Sequence, residues 1–217
     1  MAEPLIRLTR VSKVYQAVLR GRAARRGETA PGVTAIERLD LDFHAGEFTA
    51  IAGPSGSGKS TLLNLIGTID APTEGEIRFK GLEVTRLDEN ALADFRLTSL
   101  GFVFQAYNLI PVLTAAENVE YPLVLQGVGG AERRGRAMEA MKWVGLDGLG
   151  DRRPDLLSGG QQQRVAVARA IVHRPAVVLA DEPTANLDSK TAASLLDMML
   201  ELNRDHGVTF LFSSHDP

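Results

Sequence analysis

A glycine-rich stretch between an apolar segment and a leucine-rich segment most constrains how this chain can fold. Residues 53–60 read GPSGSGKS and match the pattern G-x-x-x-x-G-K-[ST], with a strand before it and a helix after it. The glycines let consecutive backbone N–H groups wrap a phosphate, and the lysine can reach the β and γ oxygens of a nucleotide. The sequence therefore predicts a phosphate-binding loop, whose residues are Gly53, Pro54, Ser55, Gly56, Ser57, Gly58, Lys59, Ser60 and Thr61.

Strands and helices alternate along the chain, which is typical of an α/β fold with a mainly parallel sheet. Residues 88–160 consist mostly of helix formers, and residues 188–207 combine an Asp or Ser cap with a terminal glycine. We expect one domain, with a core over about 1–87 and 161–217 and an inserted helical subdomain over about 88–160. The predicted strands are 6–11, two within 39–53, 76–81, 176–183 and 208–215.

Composition excludes several classes of protein. The 27 acidic residues outnumber the 24 basic ones, so the chain lacks the basic excess usual for nucleic-acid binding. The absence of cysteine rules out disulfides and thiolate metal sites, and it is compatible with a cytosolic location. No apolar run reaches about 18 residues, so we expect no membrane-spanning helix, and the charged N-terminus lacks a signal core.

An acidic pair follows the apolar run VVLA at residues 177–180. A buried parallel strand would bring Asp181 and Glu182 out at the carboxyl edge of the sheet, where a phosphate loop also lies. Asp181 could hold Mg²⁺ together with the Ser60 hydroxyl, and Glu182 could polarise a water in line with the γ-phosphate. Taken alone, the pair would be read as two solvated acids at the end of a strand.

A second anion site is predicted about a hundred residues after the first. The turn Ser158-Gly159-Gly160, followed by Gln161, opens directly into a helix, whose free N–H groups and positive dipole end favour an anion. The alternative is an ordinary helix cap.

These motifs together resemble the nucleotide-binding subunit of ABC transporters. The resemblance covers nearly the whole chain and implies a phosphate-loop NTPase (RecA-like) core, an N-terminal antiparallel β-subdomain and an inserted helical subdomain, with ATP and Mg²⁺ bound. The motifs occur in the family's order: GPSGSGKST (53–61), Gln105 in GFVFQAYNL, LSGGQQQR (157–164), VVLADEP (177–183), ANLD (185–188) and His215.

The resemblance implies a head-to-tail homodimer with two ATP molecules at its interface. The phosphate loop of each site would come from one subunit, and the Ser158 turn would bind the γ-phosphate from the other. Asp188 would contact the partner subunit.

Further roles follow from the same resemblance. Gln105 would contact Mg²⁺ and the attacking water, His215 would contact the γ-phosphate and orient Glu182, and Tyr15 would stack on adenine. Without the resemblance, Gln105 and His215 would be read as structural, and Tyr15 as a surface residue at a strand end.

Residues 102–128, with ANLD in place of SALD, resemble the macrolide-export and lipoprotein-release (MacB/LolD-like) branch. That branch implies a four-helix membrane permease, joined through the 105–120 region, and a peripheral position at the cytoplasmic face of the inner membrane. An apolar stretch could form the groove for the permease or belong to the core of the helical subdomain. Its residues are Tyr107, Leu109, Ile110, Pro111, Val112 and Leu113.

Two features depart from the family. Residues 18–32 are longer and more basic than expected, which suits a solvated loop or a contact with anionic lipid. The sequence stops two residues after His215, where we expect further helix and strand. Cargo export is the leading function; the alternatives are a mechanotransmission ATPase without transport, a soluble ABC ATPase and a phosphate-loop kinase.

Overall fold

The computed structural model describes residues 3–16 and 32–214, so the basic 18–32 segment, apart from Gly32, lies outside the described residues. The described residues form two compact units, one within residues 1–44 and 54–87 and one within residues 45–53 and 88–217. The described elements are β1 (Ile6–Tyr15), β2 (Val33–Phe43), β3 (Phe48–Ala52), α1 (Lys59–Ile66), β4 (Glu74–Phe79), β5 (Leu82–Glu83), α2 (Glu89–Ser99), β6 (Leu100–Val103), α3 (Ala115–Leu125), α4 (Gly130–Trp143), α5 (Gly159–Ile171), β7 (Val177–Ala180), α6 (Ser189–His206) and β8 (Phe210–Ser214), with short 3-10 turns at Val84–Arg86 and Pro154–Leu156.

The first unit contains an antiparallel sheet in the order β2-β1-β4-β5. Ile6 on β1 lies opposite Phe43 on β2 and Phe79 on β4, and Leu8 lies opposite Ile77. All five side chains are buried, as the alternation of apolar and polar residues predicts. Helix α1 belongs to the same unit, and the side chains of its apolar face are buried: Leu62, Leu63, Leu65 and Ile66.

The second unit contains a parallel sheet in the order β3-β8-β7-β6. Every residue of β7 is buried, which explains why this strand reads as a continuous apolar run. One apolar cluster joins the sheet to α3, α4, α5 and α6. It includes Met141 and Val144 on the α4 side and Leu195, Met199 and Leu202 on α6, and the partly buried Met138 packs against it.

Turn chemistry fixes the ends of α6. The Asp188 carboxylate accepts hydrogen bonds from the backbone N–H groups of Lys190 and Thr191, and Gly207 ends the helix in the left-handed conformation. Helix α3 begins with a complete capping box between Thr114 and Glu117. The two end signals of α6, the Asp188 cap and Gly207, were predicted from the sequence, and both are confirmed.

The predicted α/β fold class is confirmed, and the helical prediction for residues 88–160 needs one correction. Strand β6 lies inside that segment and pairs in parallel with β7. Its sequence, LGFV, is a four-residue buried run, and periodicity alone cannot assign such a run to strand or helix. Among the described residues, no helix has the length and hydrophobicity needed to cross a membrane.

We expect Gly101→Ala to destabilise the protein by roughly 1–3 kcal/mol, the usual cost of overpacking a well-packed interior. A Cβ at Gly101 on β6 would lie 2.3 Å from the backbone carbonyl oxygen of Ala170 on α5, so strand and helix could not keep their spacing. Urea unfolding followed by circular dichroism measures the change.

Gly135→Ala in α4 is the matched control, because nothing lies within 4 Å of a Cβ built there. Alanine is the better helix former at that exposed position, so the control should be stabilised by roughly 0.5–1 kcal/mol. An unchanged midpoint for Gly101→Ala would show that β6 and α5 do not pack as closely as described.

Candidate functional site

The phosphate loop leaves the carboxyl end of β3 at Gly53 and enters α1 at Lys59. Gly56 and Gly58 have φ angles of +77° and +90°, in the left-handed region that favours glycine. A Cβ at Gly58 would also lie 2.6 Å from the backbone oxygen of Ala35, so both its conformation and its surroundings require glycine. Within the described chain no side chain caps α1. This helix start is therefore built as the sequence predicts for an anion cradle.

The side chain of Lys59 is buried and folds back over the loop. Its Nζ donates a hydrogen bond to the carbonyl oxygen of Pro54 at 3.0 Å. The N–H of Ser57 donates to the same carbonyl at 3.2 Å, which closes the loop on itself. The ammonium group is thus held beside the loop backbone, where it can meet a phosphate oxygen.

The acidic pair follows β7 directly. The N–H of Asp181 donates to the carbonyl of Val103 on β6 at 2.9 Å, so the chain stays attached to the sheet as it leaves the strand. Gly53 and Asp181 leave the same edge of the parallel sheet, with β8 between their strands. Glu182 has a φ of +48°, a conformation that residues other than glycine rarely adopt and that functional sites favour.

A buried serine on β8 binds both acids, and the sequence reasoning missed it. The Ser213 hydroxyl donates to Asp181 Oδ1 at 2.7 Å and accepts from the Glu182 N–H at 2.8 Å. The signal available in the sequence was the serine that follows the apolar residues of the segment TFLFSS, residues 209–214. Ser213 fixes the carboxylate of one acid and the backbone of the other.

The Ser158 turn caps α5, as the alternative reading of that motif expects. Ser158 Oγ accepts from the N–H of Gln161 at 3.3 Å, and Gln161 Oε1 accepts from the N–H of Ser158 at 3.0 Å. A Cβ at Gly160 would lie 2.5 Å from the Thr191 methyl group on α6, so the turn packs closely against that helix. The exposed Ser158 hydroxyl accepts a hydrogen bond within the cap. Its proton is not used there and remains available for a further bond.

Gln105 is exposed just after β6, and its backbone is anchored. Asn186 Nδ2 donates to the Gln105 carbonyl at 2.9 Å, which brings the ANLD segment next to the predicted glutamine. The next residues, Tyr107 and Asn108, have φ angles of +59° and +50°. Arg169 on α5 donates to both of their carbonyls, at 2.9 Å and 2.6 Å. The Arg169 and Asn186 contacts were not predicted.

Tyr15 lies at the end of β1 with 41% of its surface exposed. Its hydroxyl donates to Asp70 Oδ2 at 2.8 Å, and Lys13 binds the other carboxylate oxygen and lies 4.9 Å from the ring centroid. Burial raises the pKa of Asp70, but the hydrogen bonds from Lys13 and Tyr15 outweigh it and lower that pKa overall. The Tyr15 ring is therefore held through its hydroxyl, with the Lys13 ammonium over one of its faces.

The carboxylate of Asp188 is engaged at the start of α6. It accepts from the Thr191 hydroxyl at 2.7 Å, and this bond and the Thr191 N–H lower its pKa. His215 lies outside the described residues. The described part of the chain contains no cluster of three or more histidine, cysteine or acidic side chains that could hold a metal ion.

An apolar groove of about 490 Å³ lies between α2, β6, α3 and α5. Ile110 from the predicted apolar stretch lines it, whereas Leu109 packs against the core and Val112 is exposed. The stretch therefore serves both the groove and the core. The other apolar residues that line it are Leu97, Leu100, Phe102, Phe104, Tyr121, Pro122, Leu125 and Ala170.

Known proteins are similar to this chain in sequence and in fold. The ABC transporter family pattern matches residues 36–185. The ABC transporter ATP-binding protein MJ0796 of Methanocaldococcus jannaschii is 44% identical over 98% of this chain and 87% of its own length. A solved dimeric structure of that cassette, in a post-hydrolysis state with ADP and Pi, matches with a TM-score of 0.82 over 97% of this chain and 88% of the solved chain, at 43% identity.

Two further relatives represent the branch that the sequence resembles. The lipoprotein-releasing system ATP-binding protein LolD of Anaeromyxobacter dehalogenans is 45% identical over 100% of this chain and 87% of its own length. The macrolide export ATP-binding/permease protein MacB of Marinobacter nauticus is 46% identical over 88% of this chain, which corresponds to 30% of that longer relative. With the phosphate loop, the acidic pair and the Ser158 turn in place, the chain belongs to the ABC transporter family as an ATP-binding cassette.

Proposed function

We propose that this chain is the ATP-binding and ATP-hydrolysing motor subunit of an ABC transporter that acts on lipoprotein, peptide or drug export. The observation that carries the proposal is the presence of two anion cradles in one cassette, the phosphate loop and the Ser158 turn. Membership of the ABC family and the similarity to LolD and MacB support the motor role. ATP is the substrate that the loop accepts.

The phosphate loop, residues 53–61, holds the triphosphate of ATP. Its backbone N–H groups surround the β-phosphate, and Lys59 contacts the β and γ oxygens. Tyr15 stacks on the adenine, because a flat aromatic side chain offers a face to the base without reading its edges. The bond from the Tyr15 hydroxyl to Asp70 supports this role, since it fixes the ring by one edge.

Mg²⁺ is the metal that the donor set fits. The candidate ligands Ser60, Asp181 and Gln105 are all oxygen donors, and they include only one carboxylate. This suits an ion that keeps several waters and takes its other ligands from the substrate phosphates. Mg²⁺ held by these residues would supply positive charge that offsets the negative charge of phosphoryl transfer.

The residues of the cassette position the reaction and stabilise its charge. Glu182 orients a water and accepts its proton as the water oxygen attacks the γ-phosphorus. The bond to the bridging oxygen of ADP breaks, which releases ADP and phosphate. Gln105 contacts the attacking water, and His215 holds the γ-phosphate and Glu182.

Two copies close around two ATP molecules, with the Ser158 turn of each copy on the γ-phosphate held by the other. The capping box supports this arrangement. Ser158 Oγ accepts the Gln161 N–H, so the hydroxyl proton is available for a phosphate oxygen. Gly159 and Gly160 add N–H groups of the helix start. Asp188 contacts the partner subunit close to this turn. The archaeal relative was solved as a dimer.

A four-helix membrane permease docks on the 105–120 region, at the helical subdomain of about residues 88–160. The apolar groove beside Ile110 suits one face of an amphipathic helix from that partner. The groove is continuous with Gln105 along the chain, so occupancy can affect the catalytic site. The motor subunit is peripheral at the cytoplasmic face of the inner membrane.

We expect Glu182→Gln to slow turnover by about 100-fold or more, the usual contribution of general acid–base catalysis, because the amide cannot accept the proton. ATP binding should persist, and light scattering should show the mass double with ATP. Lys59→Ala, the control, should neither hydrolyse ATP nor dimerise. A Glu182→Gln protein that remains a monomer with ATP would contradict the sandwich.

Ser158→Arg should abolish hydrolysis and leave binding of a fluorescent ATP analogue within about twofold of wild type, a difference below 0.5 kcal/mol. The new side chain would block the trans phosphate site without touching the phosphate loop. Leu156→Arg places the same side chain two residues earlier and should stay active. Loss of nucleotide binding in Ser158→Arg would show that the turn does not act in trans.

Leu125→Asp should leave the ATPase rate of the isolated protein unchanged but prevent capture of the permease. A charge in the apolar groove would have to be desolvated when the partner helix docks. The assay is a pull-down from detergent-solubilised membranes with ATP, using tagged protein and mass spectrometry. Leu82→Asp is the control, because Leu82 is 50% exposed and Leu125 is 57% exposed. Leu82 lies on β5 and does not line the groove. Equal capture by both variants would rule out this docking site.

A further inference from the structure

A glutamine in α5 contacts the chain segment that carries the proposed catalytic acid. Gln163 is fully buried, and its Nε2 donates to the carbonyl oxygen of Pro183 at 2.7 Å. Pro183 follows Glu182 directly, so this bond reaches the residue next to the acid. Gln163 lies on the same helix as the Ser158 turn, five residues further along.

The conformation of Glu182 needs such support. Its φ of +48° is unfavourable for a side chain with a Cβ and persists only where the surroundings fix it. On one side the hydroxyl of Ser213 accepts the Glu182 N–H at 2.8 Å. On the other side Gln163 holds the carbonyl that follows. Two hydrogen bonds, one of them fully buried, therefore flank the strained residue.

The chemistry of Gln163 also argues against a role in packing alone. Its Oε1 is buried and has no hydrogen-bond partner among the residues that the structure describes. Burying half of an amide without a partner is unfavourable, and an apolar side chain of the same volume would avoid it. What the amide provides, and an apolar residue cannot, is the N–H that binds Pro183.

We propose that Gln163 is a positioning residue for ATP hydrolysis, which holds the Glu182–Pro183 segment in place from helix α5. This inference rests on the proposed role of Glu182. Gln163 is fully buried and acts through the backbone of the acid segment. Its loss lowers kcat because Glu182 leaves its productive conformation, while ATP binding at the phosphate loop is retained.

The first test replaces Gln163 by methionine, which keeps the volume and removes the donor. We expect kcat to fall at least tenfold, with KM for ATP within about twofold of wild type and an equal or higher Tm. Gln126→Met is the matched control, because Gln126 Nε2 also donates to a backbone carbonyl, that of Leu97 at 2.9 Å, at a distance from the acids along the chain. A Gln163→Met protein as active as this control would overturn the proposal.

A second variant gives a readout that packing alone would not move. Gln163→Glu can donate to Pro183 only when its carboxyl is protonated, and burial favours that form. The ratio of its kcat to that of wild type should fall as pH rises, whereas the ratio for Gln163→Met should be low at every pH. A flat ratio for Gln163→Glu, with activity lost only in proportion to the folded fraction, would overturn the proposal.

Glu182→Gln separates the two roles. If Glu182→Gln is inactive and Gln163→Met is fully active, the inference fails and the catalytic role of Glu182 stands. If Glu182→Gln retains wild-type turnover, the proposed role of Glu182 fails first. In single turnovers of Glu182→Gln, adding Gln163→Met should lower the residual rate less than twofold, because both changes affect one group. A tenfold further loss would contradict action through Glu182.

Discussion

Burial of the middle of α5 is the constraint on which the second unit depends. Four consecutive residues, Val165–Ala168, are fully buried, so the helix is covered on every side at this level and not along a single apolar stripe. It packs against β6 and against α3, α4 and α6. Polar side chains on such a helix cannot rely on water, and they must find partners in the protein.

Backbone carbonyls of irregular segments provide those partners. Arg164 binds the carbonyl of Val144 at the end of α4, Gln163 binds that of Pro183, and Arg169 binds the loop after Gln105. Each carbonyl lies outside regular helix or strand, where a ladder would otherwise satisfy it. The helix that fills the core therefore also fixes three loops, so core packing and site geometry are not independent.

Local signals of the fold were readable in the sequence. The phosphate loop, the Asp188 cap and the Gly207 stop each depend on residues a few positions apart, and the structure has the helix starts and the helix end that they predict. Strand β6 was missed because four apolar residues carry no usable period. Its partner strand, β7, lies more than seventy residues away, and such pairing leaves no local trace.

The sequence predicted which residues form the candidate site. It did not predict the contacts that hold those residues in place. The motifs name Glu182, but nothing near it in sequence indicates its positive φ or its bond to Ser213. Gln163 stands among three glutamines, of which one caps α5 and only one reaches Pro183. The spacing of residues along a helix shows which way a side chain points, but it does not show which loop that side chain contacts. The predicted roles of Gln105, Asp188 and Tyr15 stay predictions about the nucleotide-bound dimer.

Three residues other than glycine with positive φ, Tyr107, Asn108 and Glu182, lie in two of the loops that α5 fixes. Arg169 binds the carbonyls of Tyr107 and Asn108 themselves, and Gln163 binds the carbonyl next to Glu182. Strained backbone persists when neighbouring contacts over-determine it, and α5 supplies part of those contacts in both loops, with Ser213 of β8 also holding Glu182. A displacement of α5 must act on both loops together. The Ser158 turn begins α5. A phosphate bound at that turn would therefore act on the same helix that constrains the acid segment and the loop after Gln105.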